Sequence, residues 1–124
     1  MNTYLLIAAG ISTFVGVMHS FLGERFILPK VLPLISRHLQ PGGRYTHDLI
    51  RYVWHLSSIA WIGLGVQLWL FAGMSPAEAA RPAAVVAGIL GATGLVVLVV
   101  FRGRHVAWPL LFVATACIVI GITT

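Results

Sequence analysis

The sequence predicts an all-α polytopic membrane protein, a bundle of four transmembrane helices, on three observations: its composition, the clustering of its charges, and the length of the apolar runs between the clusters. Of 124 residues, 59% are hydrophobic and 9% charged. That is too little polar surface to cover a soluble globule, and the length suits one domain, read as a single transmembrane unit over 1–124. The charged residues leave uncharged stretches at 1–23, 52–77, 82–101 and 106–124. At about 20 residues each is long enough to cross a hydrocarbon core of about 30 Å as a helix. Lipid offers the backbone no partner, so the runs are helices rather than strands. The expected spans are 3–23, 49–73, 76–101 and 105–123, with an interfacial connection at 24–48.

The first run has no cation ahead of its apolar stretch and continues through Val15, Val17 and Phe21. It reads as a retained helix rather than a secretory signal. The connection at 24–48 mixes Phe26, Ile27, Leu28, Val31, Leu32, Leu34 and Ile35 with Lys30, Arg37 and His38, has Pro29 and Pro33, and is expected to turn at Pro41, Gly42 and Gly43. It reads as a segment lying at the membrane surface with its cations toward acidic headgroups. A lid over a site beneath it is the sharper alternative. Before the third span, Ser75, Pro76 and Glu78 form a cap pattern, and Pro82 is expected to bend the helix. Ala87, Gly88, Gly91 and Gly94 supply small residues on which another helix, a second copy or a membrane partner is expected to dock.

Charge sets the orientation. Arg25, Lys30, Arg37, Arg44 and Arg51 flank the first connection, Arg102 and Arg104 the third, and only Arg81 the second. Seven against one places the first and third connections in the cytoplasm and both termini in the periplasm of a bacterial inner membrane. The formal charge of +5 is then mainly a topology signal, and no nucleic-acid partner is expected. Cys117, within the last run, reads as a packing residue. Trp54, Trp69 and Trp108 read as interfacial anchors and Trp61 as core or lipid-facing packing.

Ionisable groups inside a span are costly, so their placement bears on function. His19, His55 and His105 lie near the cytoplasmic ends of three different helices, roughly 2 to 8 Å below one boundary at 1.5 Å of rise per residue. Ser12, Gly16, His19, Ser20 and Gly23 recur three and four apart as a small, polar stripe, and His47, Arg51, His55 and Ser58 form another. Glu24 lies just over one turn from His19, where it can be a fourth ligand, a partner that orients an imidazole, or the partner of Arg25 or Arg51. Three imidazoles with a carboxylate suit zinc, iron or copper, with His19, His55, His105 and Glu24 as ligands; alternatively His19 and His55 on facing helices suit haem b. His38 and His47 are placed to be hydrated.

The motifs HSFLGER at 19–25, WHLSS at 54–58 and HVAWP at 105–109 resemble a group of small bacterial four-helix membrane proteins across most of the chain. The resemblance singles out the same three histidines and brings no activity with it. The expected function is therefore a metal or haem site on the cytoplasmic side, with redox or metal-assisted chemistry on a lipid-soluble substrate. A non-catalytic accessory subunit, or an oligomeric transporter or channel, is the alternative. The sequence names no substrate.

Overall fold

The computed structural model describes residues 1–38 and 43–124, with side chains at 1–35 and 45–124. The described residues are almost wholly helical and contain no strand. Among the described residues there are five α-helices: α1 Thr3–Leu22, α2 Leu28–His38, α3 Gly43–Phe71, α4 Pro76–Val100 and α5 Ala107–Thr123. A π-helical turn, Gly23–Ile27, joins α1 to α2 without a break, so the chain forms four rods. Three of them, Thr3–Ile35, Tyr45–Phe71 and Pro76–Val100, are long and apolar enough to cross a membrane. The fourth, α5, is apolar but only 17 residues long, about 25 Å at the α-helical rise.

The region expected to be an interfacial connection is largely helix. The first rod continues past residue 23 to His38, and the next helix begins at Gly43 rather than 49. The expected turn at Pro41 and Gly42 lies outside the described residues, as do the side chains of Arg37 and His38. Helix continuation past Gly23 has an identifiable device. Pro29 has no N–H to offer the Arg25 carbonyl and its ring crowds that carbonyl. In the turn just before it, the Leu28 N–H bonds to Gly23 O, five residues back, and the widened ladder absorbs the mismatch without ending the helix. The amphipathic α2 packs along α3, with Leu28 and Leu32 buried and Phe26, Ile27, Val31 and Leu34 exposed.

Two helical hairpins result. The α1–α2 rod packs on α3, α4 packs on α5, and the hairpins meet chiefly through α1 and α5. Leu5, Leu68, Leu90, Leu111 and Ile118 are fully buried between them. Small residues set the spacing of α1 and α3: a methyl group at Gly16 would stand 2.8 Å from the Ser58 carbonyl, and one at Gly65 2.9 Å from that of Ala9. At the far end Asn2 ties three helices together. Its Oδ1 accepts from Leu5 N–H (3.2 Å), its Nδ2 donates to Gly121 O at the end of α5 (2.6 Å), and its N–H donates to Ala72 O just beyond α3 (2.8 Å).

The expected cap of α4 is present, Glu78 Oε2 accepting from both the N–H and the hydroxyl of Ser75 at 3.1 and 2.6 Å. The helix runs on through Pro82. Of the small residues expected to dock a partner, Ala87 is buried, Gly91 faces Thr115, and Gly94 is enclosed by Leu111 and Phe112 of α5; Gly88 has open space. After α4, Arg102 takes a left-handed conformation (φ 50°) and donates to Val99 O, while the Gly103 N–H returns to Leu98 O. This paired closure is a Schellman cap. It turns the chain so that α5 starts at Ala107, two residues later than expected, and His105 lies ahead of the helix.

Candidate functional site

The polar groups of α1 and the π-helical turn meet those of α3 at the end of the first hairpin nearest the α2 extension. Gly23 lets this happen. The indole of Trp54 lies against its Cα so closely that a Cβ would overlap the indole nitrogen. Trp54 Nε1 donates to His19 O at 3.0 Å, and the ring stacks on the His19 imidazole with centroids 4.4 Å apart and planes 7° from parallel. His19 Nδ1 lies 2.9 Å from Ser58 Oγ, and the Ser58 hydroxyl is also 3.4 Å from Trp54 O. With that hydroxyl donating to Trp54 O, His19 Nδ1 is the donor to Ser58 and Nε2 keeps its lone pair. Two turns from His19 along α1, Ser12 donates to Trp61 O at 2.8 Å.

A second chain of contacts runs beside the first. Ser20 Oγ is 2.6 Å from His55 Nδ1, and His55 Nε2 is 2.7 Å from Glu24 Oε1. Arg51 closes the chain, donating from Nε to Glu24 Oε1 and from a terminal nitrogen to Oε2, both at 2.6 Å. A carboxylate held by a guanidinium on both oxygens acts only as an acceptor. With a single proton on the ring, it orients His55 with Nε2–H toward Glu24. Nδ1 is left with a lone pair facing Ser20, whose hydroxyl donates to it. A hydroxyl on an imidazole that is itself anchored by a carboxylate is the arrangement that activates a serine nucleophile. Here the ring is turned round, serine on Nδ1 and acid on Nε2.

The sequence-predicted residues therefore divide. His19, His55 and Glu24 come together between α1 and α3. His105 stays in the exposed α4–α5 connection, where its Nδ1 accepts from Ala107 N–H at 3.1 Å and its ring tilts against Phe101 at 4.9 Å. It caps α5 and makes no hydrogen bond to the other histidines among the described residues. No three His, Cys, Asp or Glu side chains among these residues form a group able to hold a metal ion. His47 lies 3.3 Å from Asp48 near the start of α3. Ser20 and Arg51 belonged to the polar stripes in the sequence; Arg51 was expected there as one possible partner of Glu24, and Ser20 was assigned no part in the site. Their only signal was spacing, Ser20 one turn before Glu24 and Arg51 one turn before His55. The chain matches no protein-family model, no curated protein and no solved structure.

Proposed function

We propose that this chain is an integral membrane protein that transfers or hydrolyses acyl groups, with Ser20 as nucleophile, His55 as general base and acid, and Glu24, held by Arg51, as the group that orients His55. The observation that carries this reading is the unbroken sequence Ser20 Oγ, His55 Nδ1, His55 Nε2, Glu24 Oε1, with successive hydrogen bonds of 2.6 and 2.7 Å. Ser20 Oγ attacks the carbonyl carbon of an ester and its proton passes to His55 Nδ1. The bond to the alcohol breaks, the departing oxygen takes the proton from His55, and the acyl group remains on Ser20. Water or another alcohol then attacks the acyl-serine by the same steps in reverse. Glu24 stabilises the imidazolium formed in between.

A short-chain fluorophosphonate, which esterifies activated serines, tests this in the detergent-purified chain. Labelling is expected at Ser20, to vanish in Ser20→Ala, and to fall by about 10² to 10⁴ in His55→Ala, the range general-base catalysis contributes. Undiminished labelling in Ser20→Ala, or a folded wild-type chain that does not label, overturns the reading.

One observation favours a second reading: each imidazole is bonded through Nδ1 to a serine, the outer-shell support that metal-bound histidines receive. A zinc, iron or copper ion on Nε2 of His19 and His55 fits that support better than haem b does, because Trp54 stacks on His19 and Gly16 and Gly23 bring the helices into contact. The Arg51 clamp weakens Glu24 as a ligand. Stoichiometric metal in the purified chain, lost in His19→Ala, would favour this reading over the first.

The basic residues around the first and third connections support an inner-membrane protein with both termini periplasmic. A reporter active only in the cytoplasm is expected to be silent when fused after Thr124; an active fusion reverses the orientation.

A further inference from the structure

We infer that the groove between α1 and α3 holds the fatty-acyl chain of a membrane lipid ester and delivers its carbonyl to Ser20; this rests on the acyl-transfer reading and names its substrate class. The groove is an open depression of about 580 Å³ with an almost wholly apolar lining, including Leu6, Gly10, Thr13 and Val17 of α1 and Val66 and Trp69 of α3. That volume is in the range of small-molecule sites.

Its register points to the site. Leu6, Gly10, Thr13, Val17, Ser20 and Glu24 follow one another at alternating intervals of four and three, so the groove and the reactive groups share one stripe of the first rod. On α3 the antiparallel stripe runs from Trp69 and Val66 through Ile62 and Ile59 to His55 at the same intervals. Val17, at the groove's end, is one turn from Ser20, about 4.5 Å along the axis. From Val17 back to Leu6 the groove extends roughly 16 Å by the same rise. Val17, Val66 and Trp69 are each about half exposed, at 51%, 51% and 56%, so the groove opens sideways and a chain can enter from the bilayer. A lipid of the cytoplasmic leaflet has its ester near the boundary and its chain toward the midplane, the direction in which Ser20 and the groove are arranged.

Gly10 makes the inference testable, because a Cβ there meets nothing within 4 Å. Fluorophosphonates with short and with long alkyl chains are compared on wild type and on Gly10→Leu, reading the rate of Ser20 labelling. In wild type the long chain is expected to label Ser20 faster than the short one. In Gly10→Leu that preference is expected to disappear, read as the ratio of long-chain to short-chain labelling rates within the same variant. A wild type that labels equally with both chains, or a preference that survives Gly10→Leu, overturns the inference and leaves the acyl-transfer reading standing. No labelling by either probe overturns both. A groove that instead seats a helix of a second copy would show as a dimer, dissociated by Gly10→Leu, with no chain-length preference.

Discussion

Gly23→Ala is expected to destabilise the chain by about 1 to 3 kcal/mol, the usual cost of forcing a methyl group into a filled site. The added Cβ would occupy the position of the Trp54 indole nitrogen. Trp54 cannot yield cheaply, since it stacks on His19 and donates to His19 O. Displacing it breaks both contacts and strands an indole N–H between packed helices. Gly10→Ala is the control, since its Cβ enters open space. Thermal unfolding in detergent, with tryptophan emission as a second readout, should show a lowered midpoint and a red shift for Gly23→Ala only. Equal midpoints for the two variants would mean that the close approach at Gly23 is not required.

Glu24→Gln is expected to have the opposite profile, a loss of serine labelling of at least about 10²-fold with little change in unfolding. The two parts have separate causes. The Glu24 and Arg51 side chains are 34% and 52% exposed, and exposed ion pairs contribute little to stability. Reactivity depends instead on the tautomer of His55. A glutamine amide offers Nε2 a donor as readily as an acceptor. Once Nε2 accepts, the ring proton moves to Nδ1, where it faces Ser20 and the base is lost. Arg51→Lys should lie between the two, because an ammonium keeps the charge but cannot grip both carboxylate oxygens at once. Labelling rates at matched folded yield measure this series. Wild-type rates in Glu24→Gln would show that the carboxylate does not set the ring.

The apolar rods were legible because hydropathy and charge spacing report what lipid requires of a backbone, and the cap at Ser75 and Glu78 was legible because it is local. The continuation of the first rod to His38 was not. Gly23, Pro29 and Pro33 are residues that interrupt helices, and only the π-helical turn, invisible in composition, shows how this helix passes them. For the site, depth alone brought His19 and His55 together with Glu24, because groups at one level on adjacent helices meet. His105 is not hydrogen-bonded into that group, since the left-handed turn at Arg102 and Gly103 holds it ahead of α5, where its Nδ1 accepts from Ala107 N–H. The roles of Ser20 and Arg51 depend on how α1 and α3 are rotated about their axes. That rotation is set by the contacts at Gly16, Gly23 and Gly65, and spacing within either helix does not specify it.

The division into two hairpins has a consequence for how the protein is made. Every hydrogen bond of the cluster, from Ser12 to Trp61, lies within the first hairpin. A ribosome feeding this chain into a bilayer would finish α3 before α4 and α5 exist. Histidine, serine and glutamate side chains that are costly to leave unpartnered in lipid would thus find one another as soon as their two helices stand side by side. The second hairpin then arrives at a surface whose clustered polar groups are already satisfied, leaving apolar packing and the Asn2–Gly121 hydrogen bond to complete. Biogenesis would pass through a half-built molecule that already contains its own chemistry.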